Sequence, residues 1–419
     1  MITSINTIKA EDKLLKFIFY ILPLLVIAGN AAINSAFFLV MIVYFYKCIK
    51  EKKLLFSKQP EFKIFFLLYF YLIFNSLQSY ELTVSLTRTI PYLKFFIFIL
   101  VYKNFIEQKK IDLNSLGIFW IIIITFLNLD IIFQSIAGVD IFRFNSGLAS
   151  RNSGFFFDEL VGGSFLVSFS FISILLVTNK NNNSFTFFFL LFCLVTVFLS
   201  GERSSFLKFL FMFSIFFIFF KNKLNFLVYK KTFSIVVLFL SIIIYLNGSV
   251  LKERYFGMVS FSHNHNLSLI DKYLTSQYGA HTIAAFFIFK DNVFLGAGNK
   301  SFRFECKKHT LKINKIQKTI DYNMDYYSSG CSTHPHQIYN ELISEHGMIG
   351  ALLLFLFIFK LILIKIHREK LSIVNIVALL YIITVFLPIL PSGSFFTTLN
   401  STLIWTNFLF YFIKMDKYE

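Results

Sequence analysis

Long apolar stretches alternate with short polar segments along the whole chain. Residues 116–137, 160–178 and 232–247 form three such stretches. A helix crosses a bilayer with about 20 apolar residues, and roughly 17 to 25 is the usual range. Because lipid offers no water, the backbone must satisfy its own hydrogen bonds there, which helices do and open sheets do not. The pattern predicts an all-α, polytopic membrane protein.

The pattern predicts about twelve membrane-spanning helices. They lie at 15–30, 32–47, 62–78, 88–105, 115–138, 159–178, 184–200, 204–220, 232–247, 347–365, 373–390 and 397–413. The chain then divides into residues 1–247 with nine helices and short loops, one large loop at 248–346, and residues 347–419 with three helices.

The N-terminal segment has two interpretations. Lys9, Lys13 and Lys16 precede the apolar stretch 17–28, as in a signal peptide. A second apolar stretch follows almost at once, so we favour a retained helical hairpin with a tight turn near Gly29 and Asn30.

Lysine-rich loops orient the helices. The clusters are Lys47, Lys50, Lys52, Lys53, Lys58 and Lys63; Lys103, Lys109 and Lys110; Lys221, Lys223, Lys230 and Lys231; and Lys360, Lys365, Arg368 and Lys370. They fall on every second loop, and cytoplasmic loops of membrane proteins are rich in such residues. We therefore expect a bacterial inner-membrane protein with both termini in the cytoplasm. Segments 138–159, 200–204 and 248–346 then face the periplasm, and a loop as long as the last is uncommon without a function.

The arginines follow a different distribution from the lysines. The net charge of +17 lies in short clusters between spans, which argues against a nucleic-acid-binding protein. Among 40 basic residues only seven are arginine, and six of these fall on the outer side: Arg88, Arg143, Arg151, Arg203, Arg254 and Arg303. A guanidinium grips phosphate or carboxylate through two parallel hydrogen bonds. We favour a phosphate-bearing ligand at the outer face, with interfacial snorkelling or pairing with a glutamate as the alternative.

The densest chemical signal lies at residues 331–350. Pro335 suits the first position of a helix, with Ser332 or Thr333 as its cap. His336 would then lie in the first turn, where free N–H groups attract anions and disfavour imidazolium. A neutral histidine can act as a general base, so we expect His336 to do so.

The rest of this segment adds a pair of carboxylates and two glycines. Glu341 and Glu345 are four residues apart and share a helix face. Gly347 and Gly350 permit close helix packing where the chain returns to the bilayer. The alternatives are solvent-facing glutamates, a surface histidine, or a metal pair from His334 and His336, for which no third ligand has suitable spacing.

Three further outer segments carry polar residues. Residues 151–164 place Arg151, Asp158 and Glu159 just outside a span, with an ordinary polar loop as the alternative. The turn 200–205 holds Arg203 beside Glu202, where an internal ion pair is the alternative. Residues 289–303 contain a pair of glycines at 296 and 298 that is too short to identify a phosphate-binding loop.

The cysteines predict one disulfide. Cys306 and Cys331 share the outer loop, whereas Cys48 and Cys193 lie on the cytoplasmic side or in a span. Disulfides form in the oxidising periplasm, so we expect Cys306 and Cys331 to be bonded, with two free thiols as the alternative.

Together these segments resemble the superfamily of O-antigen polymerases and O-antigen ligases. Its signature is a His, then Asn, Ser or Gln, then nine residues, then Gly-x-x-Gly or similar. His336 and Gln337 are followed by nine residues and by Gly347 and Gly350. The turn 200–205 is similar to the family's arginine-bearing turn, and residues 151–164 to a pattern in the polymerase branch. Gln337 stands where asparagine is commoner.

The resemblance implies glycosyl transfer between lipid-linked sugars. The donor would be a glycan on undecaprenyl diphosphate and the acceptor a second lipid-linked molecule, with no cofactor or metal and with a chain-length regulator as a further partner. His336 would take the acceptor proton, Arg203 would stabilise the leaving diphosphate, and Glu341 or Glu345 would orient the histidine. The remaining candidate substrate-binding residues are Arg151, Asp158, Glu159, Arg254, Arg303, His334, Gln337 and Glu345.

Several functions compete within this interpretation. A polymerase that extends one lipid-linked repeat unit onto another comes first, and a ligase that transfers polymer to lipid A-core comes second, with transfer to protein as a variant. A flippase or transporter would need charged residues along a path through the spans, and few are present beyond Lys94. The chain also lacks the internal repeat usual in transporters. A structural scaffold would leave the outer arginines unexplained.

Overall fold

The structure is a computed structural model. It describes residues 10–56, 59–145, 151–177, 183–220, 254–255, 267–322, 328–368, 370–388 and 390–414. All regular elements in these ranges are helical, so the predicted fold class is confirmed. The helix predicted at 232–247 lies outside the described residues.

Seventeen α-helices follow one another in the described ranges. They are α1 (Ala10–Tyr20), α2 (Leu22–Ile27), α3 (Asn30–Lys50), α4 (Pro60–Leu77), α5 (Leu82–Thr89), α6 (Leu93–Glu107), α7 (Leu113–Ala137), α8 (Gly162–Val177), α9 (Asn183–Leu199), α10 (Arg203–Phe220), α11 (Leu269–Thr275), α12 (Gln277–Asp291), α13 (Phe302–Glu305), α14 (Thr310–Ile320), α15 (Ile338–Arg368), α16 (Ile373–Val385) and α17 (Thr398–Phe412).

Four helical segments are long and apolar enough to cross a membrane. They are Asn30–Lys50, Leu82–Glu107, Leu113–Ala137 and Ile338–Ile366, and shorter apolar helices occur at Gly162–Val177, Ser184–Leu199 and Ile373–Val385. The chain is therefore a multi-pass helical membrane protein. Among the described residues these four segments alone meet the length of a span, so the predicted count of twelve is not established by them.

A tightly packed aromatic core lies at the centre of the bundle. Trp405 on α17 is fully buried and donates its indole N–H to the hydroxyl of Tyr92 at 2.9 Å. Trp120 on α7 packs edge-on against Phe169 of α8 and Phe410 of α17. Buried indoles and phenols require such polar partners, and Trp120 also has one, because it donates its indole N–H to Tyr20 O at 3.0 Å.

A second, smaller core lies in the predicted outer loop. Ala280, Ala284 and Ile288 of α12 pack against Phe302 and Ile313. Cys306 and Cys331 are joined by a disulfide with Cα atoms 5.3 Å apart. The loop is therefore a folded helical layer, and we refer to residues 267–346 as the outer layer.

The outer layer joins the bundle where α15 breaks at Gly347. Gly347 has φ of 64°, a left-handed conformation that only glycine adopts without strain. Residues 293–298 lie across this break: Met348 N–H donates to Val293 O at 2.8 Å, and Ala297 N–H donates to Ser344 O at 2.9 Å. The glycine pair 296–298 thus packs against a helix break, since a Cβ at Gly296 would collide with the backbone of Glu345.

Candidate functional site

His336 lies before α15, in a sharp bend of the chain. The prediction that Pro335 starts the helix was wrong, because α15 begins at Ile338. Gln337 caps it instead: Asn340 N–H donates to Gln337 Oε1 at 2.8 Å, and Gln337 Nε2 donates to Pro388 O at 2.9 Å. His336 has φ of 52°, a conformation that non-glycine residues adopt at a cost of about 1–3 kcal/mol and mostly at functional sites.

Three histidines meet at this bend. The rings of His334 and His336 have centroids 4.1 Å apart, and the ring of His281 from α12 lies 5.3 Å from His336. His281 Nδ1 donates to Gly330 O at 3.0 Å, so its Nε2 carries the lone pair. The ring nitrogens of His336 make no hydrogen bond to any residue that the structure describes, which leaves them available to a substrate.

Burial keeps the histidines neutral. It lowers the pKa of His336 to about 4, with the neighbouring His281 adding to the shift and Glu341 opposing it. Burial also lowers the pKa of His334 to about 2, helped by the charges of Lys300 and Arg303. The expected neutral imidazole is therefore present, but desolvation accounts for it and a helix first turn does not.

Three arginines form a cluster of positive charge, the arginine cluster: Arg151, Arg203 and Arg254. Burial, together with repulsion from Arg203 and Arg151, lowers the pKa of Arg254 to about 10. Arg254 donates its Nε–H to Gly201 O at 2.8 Å, and Arg151 donates an Nη–H to Leu160 O at 3.2 Å. Within the described ranges no carboxylate forms an ion pair with any of the three.

Glu202 is committed to a neighbouring helix and does not pair with Arg203. Its Oε1 accepts the N–H of Gly163 at 2.7 Å, and its Oε2 accepts the N–H of Ser164 at 3.1 Å. The hydroxyl of Ser205 also donates to Oε2 at 2.8 Å. A carboxylate is stabilised at a helix N-terminus by free N–H groups, so Glu202 fixes the turn 200–205 against α8.

The segment between α16 and α17 joins the arginine cluster to His336. Ser204, next to Arg203, donates its hydroxyl to Pro391 O at 2.5 Å. The next residue, Ser392, donates its N–H to His336 O at 2.9 Å. Two successive residues therefore hold Arg203 and His336 in one site.

Tyr278 of α12 lies between the same two groups. Its ring centroid is 6.1 Å from that of His336, edge to face. Its hydroxyl is close enough to interact electrostatically with Arg203 and with Arg254. A substrate that contacts both the arginines and His336 would lie against this phenol.

A buried network lies on the inner side of His336, the lysine–glutamate network: Lys300, Glu341, Glu345 and Ser394. Lys300 Nζ donates to Glu341 Oε1 at 3.1 Å and also bonds Ser394, which in turn donates to Glu341. Glu345 accepts the N–H groups of Lys300 at 2.9 Å and Phe302 at 3.2 Å. Both glutamates are buried, so neither faces solvent.

The other predicted site residues occupy different environments. Asp158 and Glu159 are exposed on the loop before α8. Arg303 is half-buried, and its charge acts on His334. No group of histidine, cysteine or acidic residues within the described part of the chain could hold a metal ion.

Sequence reasoning missed Tyr278, His281, Lys300 and the segment 388–395. Tyr278 and His281 are ordinary residues of a short helix, and no spacing marks them. The segment 388–395 did carry a signal, because two prolines and a glycine stand there between two apolar runs. Prolines and glycines of this kind mark a fixed turn.

The comparisons with known proteins agree with this geometry. A family model described as O-antigen ligase matches residues 188–355. The match confirms the resemblance to the O-antigen polymerase and ligase superfamily. Comparison with curated proteins and with solved structures gives no match.

The matched segment contains most of the candidate site. It spans Arg203, Arg254 and Tyr278 as well as the three histidines and both glutamates of the buried network. Arg151 lies before it and is brought to the site by the packing of α8 against the turn 200–205. Similarity to this family supports a lipid-linked substrate in a membrane.

Proposed function

We propose that this chain transfers a glycan from undecaprenyl diphosphate to a lipid-linked acceptor, as a polymerase of surface-polysaccharide repeat units. The arginine cluster supports this most strongly. Three guanidinium groups without a carboxylate partner among the described residues lie beside a neutral histidine. A diphosphate is the complementary ligand, since each guanidinium can bind it through two hydrogen bonds.

The reaction would begin with the acceptor hydroxyl next to His336. The hydroxyl oxygen attacks the anomeric carbon of the donor sugar while the bond from that carbon to the diphosphate oxygen breaks. The hydroxyl proton passes to a ring nitrogen of His336. The leaving lipid diphosphate gains negative charge, and Arg203 and Arg254 stabilise that charge as it develops.

Other residues would position these groups. Arg151 and Arg303 extend the positive surface for phosphate, and His334 and Gln337 shape the bend that carries His336. Asp158 and Glu159, which are exposed, would accept hydrogen bonds from sugar hydroxyls. Glu341 and Glu345 have their oxygens occupied by Lys300 and backbone N–H groups, so we assign them to positioning His336.

The proposed arrangement in the membrane follows the lysine-rich loops. Twelve spans in the bacterial inner membrane would put both termini in the cytoplasm and residues 248–346 in the periplasm. Reporter fusions near residues 225 and 310 should report opposite compartments. The same compartment for both would exclude this arrangement.

A ligase is the second candidate, because the matching family is described as O-antigen ligase. Deletion of the gene followed by gel analysis of the surface glycan separates the two. Loss of the ladder with a single repeat unit retained indicates a polymerase, which would work with a chain-length regulator. Loss of all glycan from the lipid core, with lipid-linked polymer accumulating, indicates a ligase. An unchanged surface glycan would contradict both, and a lipid-linked single unit trapped on the cytoplasmic side would indicate a flippase.

A further inference from the structure

One edge of the outer layer is anchored to the outer end of α4 and the upper end of α15. Asn75 of α4 donates its side-chain N–H to Leu295 O at 2.7 Å. Ile349, just after the break in α15, donates its N–H to Phe294 O at 3.0 Å. Residues 293–295 therefore lie at the end of α4 and at the start of the part of α15 that follows Gly347.

The turn after α13 lies over the same place. Lys308 Nζ is 4.6 Å from the ring centroid of Tyr80, which follows α4. His309 contacts Asp291 at the end of α12 at 3.1 Å. The end of α12, the start of α14 and the end of α4 thus form one continuous rim.

Large apolar side chains on this rim are exposed. Tyr80 is 77% exposed, Phe294 63% and Leu311 85%. They continue the exposed apolar surface of α4 and α15, which contacts lipid in a membrane protein. That surface consists of Leu67, Phe70, Phe74 and Leu77 on α4, and of Met348, Leu352, Leu356 and Phe359 on α15.

Lysines are interleaved with these apolar residues. Lys290 and Lys307 are exposed, and Lys312 lies over the ring of Phe287 at 5.3 Å. Of the carboxylates beside them, Glu305 binds Lys308 through both oxygens. Basic and apolar residues mixed on one surface are typical of segments that lie in the membrane interface.

We propose that this rim, the outer collar, binds the headgroups of anionic phospholipids. The collar consists of Tyr80, Phe294, Lys290, Lys307, Leu311 and Lys312. A lysine near an anionic lipid surface contributes about 1 kcal/mol. Lipid is favoured over an acidic glycan because the collar continues the lipid-facing surface of α4 and α15, whereas the predicted glycan site lies at the other end of α12. The proposal does not depend on the glycosyl transfer.

A fluorescent reporter on the collar tests the proposal. The full-length chain, with its disulfide intact, carries an environment-sensitive dye on Leu311→Cys. It is reconstituted in phosphatidylcholine vesicles with and without phosphatidylglycerol, and the parent chain treated with the same dye gives the background from Cys48. We expect blue-shifted emission and quenching by a lipid with a nitroxide near its headgroup, both stronger with phosphatidylglycerol.

A matched pair of charge variants decides whether the lysines of the collar are responsible. The first variant combines Lys290→Gln, Lys307→Gln and Lys312→Gln. It should weaken the effect of phosphatidylglycerol on emission and quenching by roughly five-fold for each lysine removed. The second variant combines Lys272→Gln, Lys315→Gln and Lys318→Gln, which remove the same charge from the same layer. It should leave the effect of phosphatidylglycerol unchanged. Three results would overturn the proposal. The first is an equal loss of the phosphatidylglycerol effect in both variants, and the second is water-like emission without quenching. The third is a spectral shift that an acidic oligosaccharide causes in vesicles of phosphatidylcholine alone.

Discussion

Two groups of charged residues in this molecule lie on either side of His336, and their charges are balanced in opposite ways. In the lysine–glutamate network, Lys300 is matched by Glu341, and both glutamates accept backbone N–H groups. In the arginine cluster, Arg151, Arg203 and Arg254 repel one another, and no described carboxylate pairs with them. Glu202, whose charge interacts with that of Arg151, is bound to the start of α8.

We interpret the lysine–glutamate network as residues that hold the fold together and the arginine cluster as residues that bind a ligand. A buried charge with a complete set of partners holds elements together, and here it fixes segment 298–302, α15 and the start of α17. A set of like charges without partners is unfavourable in the free protein and becomes favourable when an anion binds. We therefore expect substitutions in the arginine cluster to lower the rate of glycosyl transfer, and substitutions in the lysine–glutamate network to lower the stability of the fold.

The largest expected effect comes from Arg203→Lys. Lysine keeps the charge but lacks the planar fork that binds a diphosphate through two hydrogen bonds. Loss of one such transition-state contact costs about 10² to 10³ in rate, and His336→Ala should cost at least as much if His336 is the base. The measurement is glycan formation in deletion cells that carry each variant.

The amount of protein in the membrane must stay near that of the parent chain for this comparison to hold, as an immunoblot shows. Arg88→Lys is the matched control, because Arg88 is exposed on α5 and lies outside the arginine cluster. Near-normal glycan from both Arg203→Lys and His336→Ala would remove the catalytic assignment.

The second prediction concerns folding. Lys300→Met leaves Glu341 buried without its cation, and breaking a buried pair in this way costs about 3–5 kcal/mol. The double variant Lys300→Met with Glu341→Leu removes both charges and should recover much of the loss. Thermal unfolding in detergent and membrane abundance measure both, and a Lys300→Met variant as stable as the parent would contradict the structural role of the pair.

The sequence predicted the helices better than the contacts that bring the candidate residues together. Apolar stretches located most helices within a few residues, because length and polarity alone decide which segments cross lipid. The positions of Arg203 and His336 followed from charge and spacing. Their bridge through Pro391 and Ser392 could not be predicted, since it depends on long-range contacts such as that of the Ser204 hydroxyl with Pro391, 187 positions further along the chain.

The start of α15 shows the limit of local rules. Pro335 fits the first position of a helix, yet the chain bends at His336 and caps α15 with Gln337. The bend is held by the hydrogen bond from Ser392 and by the packing of His281, which are long-range contacts. Tertiary contacts therefore override the local helix-start signal at His336.

The third prediction concerns the disulfide. It closes a segment of 25 residues, for which chain-entropy estimates give roughly 3 kcal/mol. The double variant Cys306→Ser with Cys331→Ser should raise amide hydrogen exchange in α14, which packs on the same small core. It should change the rate of glycan formation less than Arg203→Lys does. Cys48→Ser, which alters a cysteine outside that core, is the control. Unchanged exchange in α14 would show that the core of the outer layer holds without the bond.

The smallest expected effect is the response to pH, and it tests the half of the site that the arginine cluster does not explain. Burial and the neighbouring His281 lower the pKa of His336 to about 4, so the ring stays neutral and able to accept a proton well below the ordinary histidine value of about 6.5. Activity that depends on neutral His336 should stay level from about pH 8 to about pH 5 and decline only as the pH falls through about 4. The measurement is the rate of the purified, reconstituted protein with a lipid-linked donor across this range, with recovery after return to neutral pH as the check for unfolding. Half of the activity lost near pH 6.5 would mean that the His336 ring is solvated in the working state, which would contradict a base kept neutral by burial.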